Sequence, residues 1–565
     1  MLKGRFLALT LASAVVVTSV GACVSGSGNQ QQYAEPQARE RAVKAHMKFL
    51  ADDLLEGRDT GSRGYDIAAL YVASHFETLG LTPYGEDGYN QWMPARQTRL
   101  VSNSAKFTLH HDGEDAELDY PRAFFTGPSA DATEQSVTAD LVFVGYGMVS
   151  DTFGIDDYAG LDVDGKIVVM VTGRPEHLPS EEAAHLSRLK NELAAERGAV
   201  GVITLHTPER EAVRPYETSL MYLNAPSVRW VNEAGEVQGN SSIEGSAYVH
   251  YDHAAPLFAG AERSLDEILA ELEQKESPAG FALNTSATLS RQSTHEDLQS
   301  PNVIGVIEGS DPDLKDEYVI YTAHLDHLGL ARDMSTDNKV FNGLLDNASG
   351  VAIMMETAQM FAQAKAQGNG PRRSIMFVAL TGEEKGLLGA DYFAEHPPVP
   401  VEQMVANVNL DMPVLLYPFA DVVAFGATHS SLGDVVERAA GRYGIGSSPD
   451  PMPEQAIFTR SDHYMLVTRG IPAVFLMTGF TSQDEDEDGG EVWARFFAEQ
   501  YHRPTDDIPS LTEAYGEIRY DFGALFAQIN FAIGEEIANT DERPYWLEDS
   551  YFGGLFREGD DRQRH

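Results

Sequence analysis

The second half of the chain alternates short apolar runs with amphipathic stretches, the pattern of strands alternating with helices. Apolar runs predict strands at 303–307, 318–322, 374–380, 406–410, 422–425 and 473–477. Amphipathic stretches between them predict helices at 350–364 and 431–443 and another from about Glu384. This order predicts an α/β fold whose mostly parallel mixed sheet is flanked by helices.

The first half is organised differently. Helical periodicity is visible at 37–55 and 65–79, and Gly80 is placed to end the second helix. Ser264 and Glu267 have the spacing of a helix capping box. Between 136 and 255, two strands, a helix and a Gly-rich turn into another strand form a compact α/β module. This module resembles the protease-associated domain.

The N-terminus has the features of an export signal. Lys3 and Arg5 precede an apolar stretch at 6–20, which is too short for an ordinary membrane span. The following Val20-Gly21-Ala22-Cys23 resembles the lipobox of bacterial lipoproteins, in which the cysteine is acylated. We therefore expect a signal peptide at 1–22, a polar tether at 23–36 and a lipid on Cys23. A secretory signal cleaved near Ala22 is the alternative.

The resemblance to a lipobox implies that the protein is exported and becomes a cell-envelope lipoprotein on the periplasmic side of the outer membrane. Otherwise it would be a periplasmic or secreted protein. The N-terminal lipid would be its only membrane contact, since the mean hydropathy of −0.27 excludes a polytopic membrane protein. The formal charge of −45 argues against a nucleic-acid partner. One cysteine in 565 residues excludes a disulfide framework and a thiolate metal cluster.

Metal-capable side chains follow several of the predicted strands. Because the carboxyl ends of parallel strands lie at one edge of a sheet, these side chains are expected to converge there. They are His324, Asp326, Asp346, Glu383, Glu384, Asp411 and His502. Two histidines, three ligand carboxylates and one further glutamate suit a two-zinc hydrolase, which needs a bridging carboxylate and a free base.

The order of these residues resembles that of the family 28 metallopeptidases, the co-catalytic zinc family that contains bacterial leucine-type aminopeptidases. The shared pattern is His-x-Asp, an Asp in a small-residue loop, Glu-Glu, Asp and a late His. Leu54-Leu55-Glu56-Gly57-Arg58 and Ser461-Asp462-His463 also resemble family stretches, and the likeness spans about 40–535.

The resemblance implies a role for each residue. His324 and Asp411 would hold one zinc ion, and Glu384 and His502 would hold the other. Asp346 would bridge the two ions and precede a cis peptide to Asn347. Glu383 would be the general base and then the general acid. Asp326 would hydrogen-bond the ring of His324 and so fix its tautomer.

The implied domain order is an N-terminal part of the peptidase domain at 37–135, the protease-associated insert at 136–255, the main zinc-peptidase domain at 256–541 and a tail at 542–565. The expected function is removal of N-terminal residues from peptide substrates. A carboxypeptidase or dipeptidase is the alternative within the fold, since Arg460 and Arg503 lie near the motifs. A non-catalytic receptor-like module is a third possibility. Oligomeric state and side-chain preference stay open.

Three other histidines are not assigned to metals. His327 is expected to line the pocket or the core, and His429 and His463 are left without a role in the site. Ser461-Asp462-His463 is not expected to form a nucleophilic triad, because such triads are assembled from separate loops. Tyr464 and Tyr501 are both candidates for stabilising an oxyanion.

Overall fold

The computed structural model describes residues 35–220, 223, 225–239, 242–331 and 338–556. The predicted signal peptide, Cys23 and nearly all of the tether lie outside the described residues. From Pro36 onward the chain forms one compact unit. Within the described ranges, no helix combines the length and the apolar character needed to cross a membrane.

The strands are β1 (Thr82–Pro83), β2 (Asn90–Leu100), β3 (Lys106–His111), β4 (Glu114–Glu117), β5 (Phe124–Phe125), β6 (Glu134–Phe143), β7 (Val149–Ser150), β8 (Ile155–Asp156), β9 (Ile167–Val171), β10 (Gly201–His206), β11 (Ser227–Trp230), β12 (Gly245–His250), β13 (Phe281–Ile307), β14 (Tyr318–His324), β15 (Ser374–Leu380), β16 (Met404–Leu410), β17 (Asp421–Phe425), β18 (Gly446–Ser448) and β19 (Ala473–Thr478).

The helices are α1 (Glu40–Leu50), α2 (Arg63–Leu79), α3 (Ser180–Glu196), α4 (Pro208–Val213), α5 (Tyr216–Leu220), α6 (Leu265–Glu273), α7 (Ser349–Ala366), α8 (Leu388–Glu395), α9 (Leu432–Gly441), α10 (His463–Val467), α11 (Gly489–Glu499), α12 (Ile508–Tyr515), α13 (Tyr520–Asn539) and α14 (Tyr551–Phe556). Short helical turns cover Asp53–Arg58, Tyr251–His253, Ala255–Phe258, Leu344–Ala348, Glu383–Lys385, Val401–Gln403, Pro453–Gln455 and Ile457–Thr459.

The main sheet has a parallel centre with antiparallel pairings on either side of it, and its edge strand β18 pairs parallel with β17. Its strand order is β11-β2-β13-β15-β14-β16-β19-β17-β18, and β15, β14, β16 and β19 run parallel. Every residue of β14, β15 and β16 is buried. Such continuous apolar strands are typical of a sheet covered on both faces. The predicted mixed α/β fold, with helices flanking a mostly parallel sheet, is confirmed.

Alternate residues of the central strands enter two separate cores. On one face, Val319 and Tyr321 pack with residues of α1, α2, α7 and α13. On the other face, Ile320 packs with residues of α8 and α10. Successive side chains of a strand point to opposite faces of the sheet, so both faces are packed against helices. This packing fixes the strands, and with them the positions of the loops at the strand ends.

Two local predictions from the first half are confirmed. The helix α2 ends at Leu79, and Gly80 takes the left-handed conformation with φ of 75°. Ser264 and Glu267 form the expected capping box at the start of α6. The helix predicted at 37–55 is shorter, because α1 ends at Leu50 and a separate turn follows.

A second sheet is joined to the main one through the long strand β13. Residues 281–292 of β13 pair with β3 and β6, whereas the part from residue 293 onward pairs with β2 and then β15. The remaining strands of the second sheet are β4, β9, β10, β12 and β5. The sheet therefore extends on both sides of the predicted 136–255 module. The resemblance of that module to the protease-associated domain stays a prediction.

The first part of the predicted C-terminal tail at 542–565 is packed against the main core. Trp546 and Phe552 are buried, and Phe552 packs against Phe458 and His429 in the main core. The segment packs against the core because burying its aromatic side chains removes a large apolar area from water. Residues 557–565 lie outside the described residues.

Candidate metal centre

Three neighbouring strands deliver side chains to one edge of the main sheet. His324 is the last residue of β14, Glu383 and Glu384 follow β15, and Asp411 follows β16. Because these strands are parallel, their carboxyl ends meet at the same edge, as the sequence predicts. All four side chains are at least half-buried there.

Asp346 lies between two histidines. Its Oδ1 is 3.2 Å from Nε2 of His324, and its Oδ2 is 3.2 Å from Nε2 of His502. The peptide bond from Asp346 to Asn347 is cis, as expected. The two oxygens of one carboxylate therefore face two different imidazoles.

Each histidine also contacts a second carboxylate. Nε2 of His324 is 3.0 Å from Oδ1 of Asp411, and Nε2 of His502 is 3.2 Å from Oε2 of Glu384. The result is two histidine–carboxylate pairs on opposite sides of Asp346. The structure thus brings together all five predicted ligand residues.

The donor set fits divalent zinc. Imidazole nitrogen and carboxylate oxygen are the ligands that zinc takes in proteins with no thiolate available. Ligand atoms of His324, Asp346 and Asp411 lie within 4.8 Å of one another, which is close enough to surround one ion. Asp346, Glu384 and Asp411 are buried carboxylates that would repel one another without a cation between them.

Buried charges at this edge shift the pKa values of neighbouring groups in opposite directions. Burial, together with the charges of Glu384 and Asp411, raises the pKa of Glu383 well above its ordinary value. Burial also opposes ionisation of Glu384, but His502 and His327 lower the pKa of that carboxyl well below its ordinary value. The pKa values of the two adjacent glutamates are therefore shifted in opposite directions.

His327 belongs to the site more closely than the sequence predicts. It is fully buried, and its Nδ1 lies 2.7 Å from Oε1 of Glu384 and 4.0 Å from Oδ2 of Asp346. These three residues form a second group close enough to hold a metal ion. His327 therefore lines the site, as expected, and also contacts the candidate ligand Glu384 directly. The sequence signal is its place directly after Asp326.

The predicted hydrogen bond between His324 and Asp326 is made by a different atom. Nδ1 of His324 donates to the main-chain oxygen of Asp326 at 3.2 Å, not to its carboxylate. The carboxylate instead accepts from the backbone N–H groups of Glu383 and Glu384 at 3.1 and 3.3 Å. Asp326 therefore holds the ring of His324 and the glutamate turn with separate groups. Burial raises the pKa of its carboxyl to about 6.

A buried hydrogen-bond chain holds Asp411. Ser461 Oγ donates to Oδ2 of Asp411 at 2.7 Å and accepts from Nδ2 of Asn409 at 2.7 Å. Oδ1 of Asn409 accepts from the hydroxyl of Thr322 at 2.6 Å. Polar groups behind a ligand orient it and fix its geometry. Ser461 is thus a support for a ligand, which agrees with the rejection of a nucleophilic triad.

Asp506 is a functional position that the sequence reasoning missed. It is fully buried, and its carboxylate accepts from the backbone N–H groups of Leu345 and Asp346 at 3.1 Å each. Burial raises the pKa of this carboxyl to about 7. The sequence feature that could have identified Asp506 is its position four residues after the predicted ligand His502.

The other unassigned histidines lie away from the metal ligands. His463 packs between the rings of Phe458 and Phe475, and burial lowers its pKa to about 3. Nε2 of His429 lies 2.6 Å from Oε2 of Glu181 at the start of α3. Neither histidine belongs to the two groups of side chains that are close enough together to hold a metal ion among the described residues.

Comparison with protein-family models supports the interpretation of this segment. Residues 302–517 match the model described as Peptidase family M28, and every predicted site residue except Cys23 lies in that range. This part of the chain is similar to peptidase family M28. The match agrees with the resemblance of this segment to that family and covers less than half of the chain.

Curated relatives resemble only part of the chain. A protein of Pyrenophora tritici-repentis named "Probable zinc metalloprotease" is 43% identical over 70 residues, which are 12% of this chain and 15% of that protein. One of Arthroderma benhamiae named "Probable glutamate carboxypeptidase" is 27% identical over 386 residues, 62% of this chain and 47% of that protein. The chain thus spans less than half the length of these relatives.

A solved structure shares the fold over most of the chain. It is described as "Aminopeptidase from Aneurinibacillus sp. strain AM-1", with a TM-score of 0.50 and 18% identity. The alignment covers 90% of this chain and 96% of that one. At this identity the likeness supports the fold and nothing finer.

The position of Asp346 leads to a prediction about metal content. Replacing Asp346 with Ala removes the carboxylate that faces both histidines, so we expect zinc content to fall at both positions together. Replacing Asp411 with Ala should mainly remove the ion beside His324. Elemental analysis of each purified variant after dialysis measures zinc per chain. Loss of a single ion from the Asp346→Ala variant would contradict the bridging position.

Proposed function

We propose that this protein is a two-zinc metallopeptidase that removes N-terminal residues from peptides. One observation carries the proposal: the two oxygens of Asp346 each face a separate histidine–carboxylate pair. A one-metal site needs no carboxylate shared in this way. The match to the M28 family supports the peptidase class.

Each pair would hold one ion. His324 and Asp411 form one pair, Glu384 and His502 form the other, and Asp346 is shared. Two bound zinc ions would supply Lewis-acid polarisation of the scissile carbonyl and lower the pKa of the attacking water. His327 lies beside the Glu384 pair and is a further candidate contact for that ion.

Glu383 is the proposed proton carrier. It directly precedes the ligand Glu384, and its backbone N–H is fixed by Asp326. A carboxylate so placed accepts a proton from the attacking water and returns it to the departing amine. The chemistry requires one carboxylate that is not committed to a metal, and Glu383 is that residue here.

Tyr501 is the better candidate for stabilising the oxyanion. Its ring stacks on that of His502, with centroids 3.8 Å apart. The hydroxyl of Tyr464 instead contacts Nδ1 of His185 on α3, and Tyr464 is buried. We therefore assign the donor role to Tyr501 and a packing role to Tyr464.

The order of the site residues supports the aminopeptidase assignment, because it resembles that of a family containing bacterial leucine-type aminopeptidases. A solved structure that shares the fold is also described as an aminopeptidase. A carboxypeptidase is the second candidate, because Arg460 lies close enough to Tyr501 for its charge to oppose the burial-driven rise in the pKa of that phenol. A guanidinium there could bind a substrate carboxylate.

The general-base assignment predicts the behaviour of a Glu383→Gln variant. The amide cannot accept the proton, so kcat should fall by on the order of 10²–10⁴-fold while bound zinc is retained. Glu548→Gln, at an exposed glutamate, is the control and should keep full activity. Steady-state kinetics and elemental analysis give the two quantities. Unchanged kcat in Glu383→Gln would exclude the role.

The direction of cleavage is tested with a pair of substrates. We expect hydrolysis of Leu-p-nitroanilide and at least about 100-fold slower hydrolysis of its N-acetyl analogue, because acetylation removes the ammonium charge. The release of p-nitroaniline is followed by absorbance. Two zinc ions without such cleavage, but with release of C-terminal residues from N-blocked peptides, would favour the carboxypeptidase. Absence of both metal and cleavage would favour the receptor-like module.

We also propose that the protein is exported and anchored by a lipid on Cys23. The support is the apolar stretch at 6–20 followed by the lipobox-like Val20–Cys23. Replacing Cys23 with Ser removes the acylated thiol, so the protein should move from the membrane to the soluble fraction with its activity intact. Fractionation followed by the peptidase assay measures both. Membrane retention of this variant would contradict a lipid as the only anchor.

A further inference from the structure

Residues 57–60 lie directly behind the candidate metal centre in an uncommon backbone conformation. Gly57 and Arg58 have positive φ values of 70° and 51°. A Cβ on Gly57 would lie 2.3 Å from the carbonyl oxygen of Gly329, so only glycine fits this approach. Arg58 is a non-glycine residue in the left-handed region, which costs energy unless surrounding contacts hold it.

The Arg58 side chain supplies such contacts. It is 1% exposed, and its guanidinium donates only to main-chain carbonyl oxygens. These acceptors are Leu325 at 2.9 Å, Asn342 at 2.7 Å, Gly343 at 3.2 Å and also Leu50. Leu325 follows the ligand His324, and Gly343 begins the turn that contains Asp346. One side chain thus links the two loops whose ligands face each other.

Neighbouring residues of the same segment reach the remaining loop. The hydroxyl of Thr60 donates to Oδ2 of Asp326 at 3.1 Å. Asp59 lies 2.8 Å from Nζ of Lys385, which directly follows the two glutamates. The main-chain oxygen of Arg58 accepts from the N–H of His327 at 3.1 Å. Residues 57–60 therefore contact three loops of the site: the loop after β14, the loop that contains Asp346 and the turn after β15.

The charge of Arg58 also has a defined environment. Burial lowers its pKa to about 10, and the carboxylates of Asp326, Asp346, Asp506 and Glu384 oppose that shift. The guanidinium is therefore protonated at neutral pH. It is a buried positive charge near these four carboxylates.

We propose that Arg58 is a positioning residue for the metal centre, holding the loop of His324 and the loop of Asp346 at the separation that two zinc ions require. This proposal rests on the proposed function, because it assigns a task toward the same ions. Arg58 touches neither a ligand side chain nor the space between the histidine–carboxylate pairs, so it acts through the loop backbones.

Arg373 offers a matched control within the same domain. It is also fully buried, donates to the main-chain oxygens of Ile537, Thr540 and Asp541, and pairs with Glu317 at 2.6 Å. The three carbonyl acceptors lie at or just after the end of α13, and Glu317 directly precedes β14, at the opposite end of that strand from His324. Substitution of either arginine removes several buried hydrogen bonds to main-chain oxygens. The two arginines differ chiefly in the segments that these bonds connect: loops of the candidate metal centre for Arg58, and the end of α13 for Arg373.

The test compares R58K with R373K in the full-length protein. Lysine keeps the charge but cannot reach several carbonyl oxygens at once. We expect R58K to bind zinc about 10–100-fold more weakly in a chelator competition and to lower kcat by a similar factor, with KM within about threefold. R373K should keep zinc affinity and kcat within about twofold of wild type. Thermal unfolding of the zinc-free proteins should show similar losses for both.

The outcomes separate this proposal from the proposed function. If wild-type protein binds zinc and cleaves peptides while R58K retains wild-type zinc affinity and kcat, the positioning role is overturned and the proposed function stands. If wild-type protein binds no zinc and cleaves no peptide, both fail. Equal loss of zinc affinity in R58K and R373K would also overturn the role, since it would then reflect general destabilisation.

Thr60→Val provides the measurement should R58K fail to fold. Valine has nearly the shape of threonine but cannot donate to Asp326, so the fold should be retained. We expect zinc affinity and kcat to fall by about 3–10-fold, because Asp326 also fixes the glutamate turn. Thr78→Val, at an exposed threonine of α2, is its control. Wild-type zinc affinity in Thr60→Val would count against a positioning role for the 57–60 segment.

Discussion

Buried negative charge at one edge of a parallel sheet is the constraint on which the site depends. The carboxylates of Asp346, Glu384 and Asp411 are shielded from water, and each lies within hydrogen-bond distance of at least one of three imidazoles, those of His324, His327 and His502. Removing such charges from water costs several kcal/mol each unless positive charge or hydrogen bonds compensate. Divalent cations between the pairs would remove most of that cost.

The loops around this charge are held by polar contacts from several directions. Asp506 fixes the turn of Asp346, Ser461 fixes Asp411, and Asp326 fixes both His324 and the glutamate turn. Each support uses a buried group whose removal would leave a partner without a hydrogen bond. The positions of the candidate ligands are therefore supported by hydrogen bonds from the surrounding protein.

The second sheet is coupled to the site in two ways. Strand β13 runs without interruption from that sheet into the main one, so the two cannot separate without breaking a shared strand. In addition, Arg188 of α3 donates to the main-chain oxygen of Thr459 at 2.9 Å, two residues before Ser461. Direct contacts thus lead from α3 to the support of Asp411. Helix α3 is therefore part of the structure that surrounds the candidate metal centre.

The sequence by itself determined the features that depend on a few neighbouring residues. The end of α2 at Gly80, the capping box of Ser264 and the placement of His324 and Asp411 at strand ends follow from local geometry and strand periodicity. The resemblance to the family then implied which of these side chains share a metal.

Only the tertiary structure decided the contacts between distant parts of the chain. Asp506 and Leu345 are 161 residues apart, and Arg58 and Leu325 are 267 apart. The closeness of His327 to Glu384 and the continuation of β13 through both sheets likewise became visible only in the folded chain. The physical reason is that hydrophobic and polar periodicity reports which face of an element is buried, whereas the partner on that face is set by how the elements pack.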